Sequence, residues 1–409
     1  MKKALALILI CCFLIFFSCC TSADSFVFGF DSFSVFNTYI SVKLFAPSDD
    51  DSTKATYTNA VNLMKETLNQ VEAQLSANKE GSDIYRFNAA KAGESVVVGV
   101  HTANCFNLAQ QMYAVTEGAF NPAVYNLVDL WGFSARFNDI TGQTMPYDRN
   151  TPSPPQQVYI DAFKTLTNFE DVIFDPDTNT LTKPSNTVTI DGNTYNVKLD
   201  FGGIGKGYAC DLFKEIASQK GITRGYFNIG TSSISFLDNA YGKPFNVDME
   251  NPRAENFGTG LLTLKNISQT SISVSGDYQR FFEHNAKRYC HIIDAKSGMP
   301  TQSGLYSVLI AGRSAAINDC LTTALSTLDK SGAAVFVNSQ ACRELGVTSA
   351  VFVYGKEGKL AVASNADITI TNNSAKGYNY DVYQGQATFN PIFDATPLVI
   401  AGLVLICVI

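Results

Sequence analysis

The stretch LDFGGIGKGYACD, residues 199–211, concentrates groups that could bind phosphate: four glycines, one lysine and a carboxylate near each end. Glycines around a lysine, where a strand runs into a helix, let backbone N–H groups approach an anion closely. The spacing excludes a Walker A loop, because Asp200 and Gly207 stand where that motif needs glycine and Ser or Thr. It also excludes the dinucleotide fingerprint, because Tyr208 replaces its last glycine. The stretch is therefore a different phosphate-binding loop or a glycine-rich turn.

Four further stretches place polar groups in otherwise apolar surroundings. They are GAFNPAVYNLVDLWGF (118–133), YFNIGTSSISF (226–236), SVSGDYQRFFEHNAKRYCHIIDAKSGMP (273–300) and INDCLTTAL (317–325). With the glycine loop, they are the candidates for a functional site.

The elements that must position these stretches come in mixed order. Apolar residues at helical spacing predict a helix over 55–76, and further helices are predicted within 105–118, 153–169, 207–221 and 314–328. Strands are predicted at 38–46, 226–236, 244–250, 260–266 and 270–276, with hairpins in 171–203, where Asp191 begins an Asp-Gly turn, and in 349–364. Because βαβ units do not alternate regularly, the pattern predicts one large α+β domain of mixed strands and helices, over residues 24–366.

The N-terminus has the layout of a lipoprotein signal peptide over residues 1–19. Lys2 and Lys3 precede an uncharged apolar run that ends at Ser18-Cys19-Cys20. Cys19 or Cys20 is then the lipidated residue, and the alternative is an uncleaved membrane anchor. Either interpretation exports the rest of the protein.

The C-terminus is predicted to form a tether over residues 367–390 and an apolar tail over residues 391–409. The last 13 residues, PLVIAGLVLICVI, carry no charge but are fewer than the roughly 20 that a spanning helix needs. A tail anchor, an interfacial segment, a processed anchor signal and a buried strand remain open, and the uninterrupted apolar character favours association with a membrane.

Composition excludes some classes of function. The net charge is −7 and the pI about 5.1, which disfavours a nucleic-acid partner. Ten cysteines are present, of which five lie in the apolar ends. The other five are widely spaced and contain no C-x-x-C pair, so neither a zinc site nor a disulfide framework is indicated.

Several motifs, in one order across residues 30 to 364, resemble the ApbE family of FAD:protein FMN transferases. That family carries a G-x-x-D/N-P segment running into L-W-G-F, a D-L-G-G-I-A-K-G-Y loop and an S-G-D-Y-x-R-x-F segment. H-I-I-D-P-x-T-G-x-P and a D-A-L-x-T-A helix follow. The early SDIYRFN, residues 82–88, is similar to the family's S-E-I-x-R-x-N. Together these motifs are much more specific than any one of them.

The resemblance implies transfer of FMN from FAD to a Thr or Ser hydroxyl of an exported flavoprotein, with Mg²⁺ as cofactor and AMP as the product released. A subunit of a membrane redox complex is one candidate acceptor. With the predicted lipid anchor, this places the protein on the extracytoplasmic side of the cell membrane. Two alternatives remain: a pyrophosphatase that hydrolyses FAD to FMN and AMP, and a non-catalytic flavin-binding lipoprotein.

The predicted metal site uses Asp319 and Thr323, four residues apart on a helix and thus on one face. A carboxylate with a hydroxyl is an oxygen-only pair, which suits Mg²⁺. The resemblance adds the backbone carbonyl of Gly203 as a ligand. The alternative is that Asp319 caps the helix and Thr323 packs inside it.

Lys206 is the only cation of the glycine loop and is predicted to bind the FAD pyrophosphate. The alternative is a solvated lysine in the first turn of a helix, where a positive charge is mildly unfavourable. Asp200 resembles an acid that contacts FAD in the family, and could otherwise be a cap or turn residue.

His291 is predicted to take the proton of the acceptor hydroxyl, because imidazole accepts protons near neutral pH. The alternative is a core histidine bonded to backbone. Asp294 and Asp277 are the next candidates for the base. The resemblance also assigns Ile293 to FAD binding.

Five further positions match family segments that contact FAD: Phe36, Asn78, Ala119, Phe120 and Asn121. Each could instead be an ordinary turn, core or surface residue.

This flavin-facing edge departs from the family pattern. FNT replaces M-G-T at 36–38, NPA replaces D-P-T at 121–123, and Thr231, Val274 and Ala295 replace Gly, Thr and Pro. The positions matched to metal and pyrophosphate binding keep their chemistry, so the departures concern the flavin-facing edge.

Overall fold

The computed structural model describes residues 26–134, 153–254, 258–356, 359–370 and 383–384. The predicted signal peptide and the apolar tail lie outside these ranges, as does most of the tether. Within the described residues, no helix combines the length and apolar character needed to cross a bilayer.

Five of the described helices begin where a side chain satisfies a free N–H group of the first turn. Asp50, Ser82, Ser314, Asp329 and Ser339 each accept a backbone N–H of the turn that follows. The helices are α1 (Asp51–Leu75), α2 (Asp83–Ala89), α3 (Val100–Val115), α4 (Tyr125–Leu130), α5 (Gln157–Lys164), α6 (Gly205–Gln219), α7 (Ala315–Thr327), α8 (Lys330–Val337) and α9 (Gln340–Glu344).

The strands form one large sheet and several small ones. They are β1 (Phe26–Ser32), β2 (Ile40–Ala46), β3 (Ser95–Val97), β4 (Ile173–Asp175), β5 (Thr180–Thr182), β6 (Thr187–Ile190), β7 (Asn193–Asn196), β8 (Gly225–Ile229), β9 (Ser233–Phe236), β10 (Phe245–Glu250), β11 (Gly260–Ile267), β12 (Ser271–Gly276), β13 (Phe281–His284), β14 (Lys287–Cys290), β15 (Ile293–Asp294), β16 (Met299–Pro300), β17 (Leu305–Gly312), β18 (Val347–Lys356), β19 (Lys359–Ser364), β20 (Ile368–Ile370) and β21 (Tyr383–Gln384).

The large sheet has the order β1-β2-β8-β9-β12-β17-β18-β19-β21, antiparallel except where β19 meets β21. Helices α1, α6 and α7 cover one face, and the small sheet β10-β11-β20 covers the other. Alternate residues of β8 show the two faces: Phe227 packs with α1 and α6, and Tyr226 packs with the small sheet. Each fully buried apolar side chain contributes about 1.5–3 kcal/mol.

A second apolar core joins helices α2 to α5 to the hairpins β13-β14 and β15-β16. At its centre, Trp131 is fully buried and stacks with Phe282 and Tyr289, and its indole N–H donates to the carbonyl of Gly298 at 2.9 Å. The LWGF segment thereby anchors the hairpin that leads into His291.

The predicted α+β architecture is confirmed. The apolar positions that predict the helix over 55–76 are all buried in α1: Val61, Met64, Leu68, Val71 and Leu75. Asp191 with Gly192 makes a left-handed turn between β6 and β7. The one strand predicted over 226–236 is two, since the chain turns at Gly230-Thr231 between β8 and β9. The cysteines of the body, Cys105, Cys210, Cys290, Cys320 and Cys342, are buried free thiols.

Candidate active site

The entrance to the glycine loop is held by the side chain of Asn88. Its Nδ2 donates to the carbonyl of Leu199 at 2.8 Å, and its Oδ1 accepts the N–H of Leu199 at 2.7 Å. The next N–H, of Asp200, donates to the carbonyl of Pro122 at 2.8 Å. Asn88 belongs to the SDIYRFN stretch, which sequence analysis singled out without giving it a role. It fixes the loop entrance next to the AFNP segment.

Asp200 shapes the loop itself. Its Oδ1 accepts the N–H of Gly202 at 2.7 Å, which makes the compact turn that precedes α6. Burial lowers the pKa of the Arg280 guanidinium, and the nearby carboxylate of Asp200 partly offsets that shift. Asp200 is therefore a turn residue, and its carboxylate also lies near the guanidinium of Arg280.

Lys206 extends from the first turn of α6 across the loop. Its Nζ donates to the carbonyl of Gly202 at 3.0 Å and lies 3.9 Å from Oδ2 of Asp319. A Cβ on Gly230 would lie 3.0 Å from Cδ of Lys206, so the turn after β8 confines the lysine stem. Oδ2 of Asp319 also accepts the N–H of Gly207 at 3.1 Å. Lys206 is thus held at the loop, 25% exposed, rather than extended into solvent.

Thr323 and Gly203 face each other. A Cβ on Gly203 would lie 3.1 Å from Oγ1 of Thr323 and 3.2 Å from Cε2 of Phe120. The absence of a side chain at position 203 therefore favours the close approach of the loop backbone to α7. Oγ1 of Thr323 donates to the carbonyl of Asp319 at 3.2 Å, which leaves its lone pairs available.

Asp319 is not a helix cap. Helix α7 begins at Ala315 and its cap is Ser314, so Asp319 lies in the second turn, with a side chain 4% exposed. Thr323 lies beside Gly203, and the Asp319 carboxylate accepts the N–H of Gly207, so both side chains contact the glycine loop.

The Asp319 carboxylate, the Thr323 hydroxyl and the Gly203 carbonyl fit Mg²⁺, which prefers carboxylate, hydroxyl and carbonyl ligands. Among the described residues there is no group of three or more His, Cys, Asp and Glu side chains that could hold a metal. A magnesium site here would therefore combine one carboxylate with neutral oxygens.

His291 follows β14 and is partly exposed. Its Nδ1 lies 3.3 Å from the carbonyl of Arg280, so Nδ1 carries the proton and Nε2 remains an acceptor. Burial of the ring, and then the positive charges of Arg280 and Lys206, lower its pKa to about 3. The backbone contact expected of a core histidine is present, but it orients the ring rather than occupying both nitrogens.

The two reserve candidates for the base are occupied. Asp294 accepts the N–H groups of Lys296 and Ser297 at 3.0 and 3.1 Å. Asp277 receives both Nη atoms of Arg253 at 2.7 Å. Neither carboxylate is as available as Nε2 of His291.

Arg280 is a further candidate site residue, which the sequence analysis did not single out. Its Nη2 donates to the carbonyl of Phe133, and its charge acts on both Asp200 and His291. The S-G-D-Y-x-R motif contained the signal, because a motif arginine beside a proposed pyrophosphate site is a natural anion partner.

Phe36, Asn78 and Ile293 are also predicted to contact FAD. Phe36 has φ +55°, and its N–H donates to Oε1 of Glu72 at 2.8 Å. Oδ1 of Asn78 accepts the hydroxyl of Tyr125 at 3.0 Å, which ties α4 to the end of α1. Ile293 is buried in β15.

Ala119, Phe120 and Asn121 follow the glycine turn that ends α3. Ala119 and Phe120 are buried, and Phe120 reaches Gly203. Nδ2 of Asn121 donates to the carbonyl of Thr167 at 2.8 Å.

Asn121 lines a cleft of about 240 Å³ together with Glu117, Lys164, Ala295 and Lys296, among others. A larger cavity of about 510 Å³ lies elsewhere, around residues 265–270 and 311–313, and no candidate site residue lines it.

Sequence comparison now decides the family. A sequence model described as the ApbE family matches residues 36–345. The chain belongs to the ApbE family. Two relatives named FAD:protein FMN transferase illustrate the similarity. The relative from Escherichia coli (strain K12) is 27% identical over 284 residues, 69% of this chain and 73% of the relative. The relative from Salmonella typhimurium is 28% identical over 303 residues, 73% and 79% of the two chains.

Solved ApbE structures share the fold. The flavinyl transferase ApbE of Pseudomonas stutzeri, in its apo form, superposes with a TM-score of 0.66 at 23% identity, over 87% of this chain and 98% of that one. The flavin transferase ApbE of Vibrio cholerae gives a TM-score of 0.64 at 20% identity, over 86% and 99%.

Two turns show how this member of the ApbE family departs from the glycine pattern noted above. Asn37 has φ +49° and Thr231 has φ +57°, a left-handed conformation that asparagine tolerates and β-branched residues rarely adopt. The N–H of Thr231 donates to Oδ1 of Asn228 at 3.0 Å, which helps to hold the strained turn. Both turns therefore have a left-handed backbone although neither residue is glycine.

Proposed function

We propose that this ApbE-family protein is a flavin transferase that moves the FMN moiety of FAD to a Thr or Ser hydroxyl of an exported flavoprotein, with Mg²⁺, and releases AMP. The observation that carries the proposal is that the backbone carbonyl of Arg280 holds the ring of His291 at 3.3 Å, while Arg280 and Lys206 place positive charge near it. A neutral proton acceptor beside two cations suits the attack of a hydroxyl on a pyrophosphate. The relatives named FAD:protein FMN transferase support the same activity.

The phosphate-binding part of the proposal rests on the glycine loop. Lys206 and Arg280 would pair with the pyrophosphate oxygens, and the loop backbone could approach because Gly203 lacks a Cβ. Asp319, Thr323 and the carbonyl of Gly203 would hold Mg²⁺, which supplies positive charge to the pyrophosphate when bound.

The chemical step is assigned to His291. Nε2 takes the proton from the acceptor hydroxyl, whose oxygen forms a bond to the phosphorus on the FMN side of the pyrophosphate. The bond from that phosphorus to the bridging oxygen breaks, and AMP leaves with the bridging oxygen. The proton passes from His291 to solvent after the acceptor has been modified. Positioning and electrostatic stabilisation dominate such phosphoryl-type transfers.

Substrate binding makes His291 a better base. In the free protein, burial and the charges of Arg280 and Lys206 keep the pKa of His291 at about 3. The two negative charges of the FAD pyrophosphate offset both cations, so the pKa of His291 rises when FAD is bound.

Hydrolysis is the second candidate function, because His291 is partly exposed and water can reach it. Water would then replace the acceptor hydroxyl and give FMN and AMP. The same site could also bind FAD without chemistry.

One experiment separates the three functions. The full-length protein is incubated with FAD, Mg²⁺ and candidate exported flavoproteins, and AMP release is followed together with flavin fluorescence in a denaturing gel. We expect AMP and a fluorescent acceptor band, both lost when the acceptor Thr or Ser is replaced by Ala. AMP without a fluorescent band indicates hydrolysis, and FAD binding without AMP indicates a binding protein.

For localisation, we propose that the protein is anchored in the cell membrane by a lipid on Cys19 or Cys20 and faces the extracytoplasmic side, where exported acceptors would meet it. The support is the order Lys2, Lys3, apolar run, Ser18, Cys19. Mass spectrometry of the mature N-terminus tests this, and an unlipidated N-terminus at Ala23 or later would remove the anchor but not export.

A further inference from the structure

One face of α6 is built to hold the start of α7. Gly207, Asp211 and Lys214 are spaced four and three residues apart, so they lie on the same face of the helix. Each of them contacts the segment 313–316, where α7 begins. Asp211 is the carboxylate that closes the glycine stretch, and the proposed chemistry leaves it without a role.

Asp211 caps a helix other than its own. Its Oδ1 accepts the N–H of Ala315 at 2.8 Å, and its Oδ2 accepts the N–H of Ala316 at 3.0 Å and the hydroxyl of Ser314 at 2.6 Å. Ser314 in turn accepts the N–H of Ile317 at 3.2 Å. A carboxylate is favourable at a helix N-terminus, where free N–H groups and the helix dipole are positive.

The neighbours of Asp211 on this face reinforce the contact. A Cβ on Gly207 would lie 2.2 Å from the carbonyl oxygen of Ala315, so only glycine permits the observed separation of the two helices. Nζ of Lys214 donates to the carbonyl of Arg313 at 2.7 Å. The start of α7 is therefore fixed against α6 at three successive positions.

This contact sets where Asp319 and Thr323 lie, because both are on α7, one and two turns after Ala315. The glycine loop that faces them continues directly into α6. We propose, on the basis of the proposed function, that Asp211 is a positioning residue. It holds α7 against α6 so that Asp319 and Thr323 meet the Gly203 backbone in the arrangement that Mg²⁺ requires.

Three variants of the full chain test this role. Asp211→Asn removes the charge and an acceptor but keeps the size of the side chain. Ser314→Ala removes one partner of the same carboxylate and is the milder change. Asp329→Asn is the matched control, since Asp329 caps α8 by accepting the N–H of Gly332 at 2.7 Å, and α8 carries no site residue.

FAD affinity is measured at increasing Mg²⁺ concentration, and the readout is the Mg²⁺ concentration at the midpoint of the change. FAD affinity in the presence of a chelator and thermal unfolding are measured in parallel. Loss of a residue that orients metal ligands typically weakens metal affinity about 10- to 100-fold. We expect a Mg²⁺ midpoint shift of that size in Asp211→Asn and a smaller shift in Ser314→Ala. FAD affinity in chelator should stay at the wild-type value, since Lys206 is intact, and Asp329→Asn should lower the unfolding temperature without moving the Mg²⁺ midpoint.

An unchanged Mg²⁺ midpoint in folded Asp211→Asn overturns the positioning role but leaves the proposed function standing. If Asp211→Asn does not fold, Ser314→Ala decides in the same way. A wild-type chain that shows neither Mg²⁺ nor FAD binding overturns both proposals.

Discussion

Nζ of Lys206 and Oδ2 of Asp319 lie 3.9 Å apart, and the N–H of Gly207 donates to the same carboxylate oxygen. The glycine loop and α7 are thus linked through one buried carboxylate with a cation beside it. Because the Lys206 contact is long, the lysine can turn to a phosphate without leaving the site.

Removing this carboxylate should abolish metal dependence. We expect Asp319→Ala to lose Mg²⁺-dependent AMP release, because a single carboxylate anchors the proposed metal site. Asn318→Ala is the control: Asn318 is a buried neighbour on α7 whose Nδ2 donates to the carbonyl of Ser271 at 3.0 Å. A Mg²⁺ titration of the rate checks both variants, and wild-type Mg²⁺ dependence in Asp319→Ala would make the metal assignment wrong.

Substitutions can separate the proposed role of His291 in proton transfer from that of Lys206 in FAD binding. His291→Ala should lower turnover about 10²- to 10⁴-fold, the usual effect of losing a general base, while FAD still binds. Lys206→Ala should raise the FAD dissociation constant as well as lower the rate, because the anion loses a charge partner in both ground and transition states. Calorimetric FAD titrations and AMP release rates provide the comparison. Equal loss of FAD affinity in both variants would show that His291 is a binding residue.

The pH dependence should differ between free and bound protein. His291 has a pKa of about 3 in the free protein and must be neutral to act, so activity is lost as pH falls through its pKa. FAD raises that pKa. The acid limb of kcat, which reports the complex, should therefore lie at higher pH than that of kcat/KM, which reports the free protein. Coincident acid limbs would contradict the electrostatic role given to FAD.

Lys183 should make stability increase with pH above neutrality. It is 1% exposed, and its Nζ donates to Asn88 O, Ala90 O and Asn196 Oδ1 at 3.3, 3.0 and 2.9 Å. Burial lowers its pKa to about 7, so between pH 7 and about 10.4, the ordinary lysine pKa, the unfolded chain binds more protons than the folded one.

The free energy of unfolding should therefore rise with pH in that window, with a slope of at most about 1.4 kcal/mol per pH unit from this group. Lys183→Met should flatten the rise. Denaturant unfolding from pH 7 to 9.5 measures it, and an identical pH slope in the two proteins would exclude Lys183 as its source.

Thr231→Gly should stabilise the protein. A left-handed conformation costs an L-residue about 1–2 kcal/mol, and glycine in its place costs roughly 0.5–1 kcal/mol in chain entropy. The expected gain is up to about 1 kcal/mol, with a smaller gain for Asn37→Gly, since asparagine tolerates the conformation. Chemical denaturation measures both. A loss of stability in Thr231→Gly would mean that the hydrogen bond from Thr231 Oγ1 to the carbonyl of Gly230, at 2.7 Å, outweighs the strain.

Local patterns predicted much of the structure. The apolar spacing of α1, the Asp-Gly turn at Asp191 and the glycine that follows α6 depend on interactions within a few residues, which the sequence shows directly. The sequence also predicted that Asp319 and Thr323 lie on the same face of one helix, because four residues make about one turn. The strand break at Gly230-Thr231 was missed, since β-branched Thr231 gives no sign of a left-handed turn.

The sequence by itself determined the α+β class, the family resemblance and the residue types of the predicted phosphate and metal site. Only the tertiary structure excluded Asp319 as a helix cap, because that outcome depends on Ser314 and Asp211 holding the start of α7. It also decided which ring nitrogen of His291 is available and brought Arg280 beside it. These outcomes rest on contacts between residues far apart in the chain, and local periodicity carries no information about such contacts.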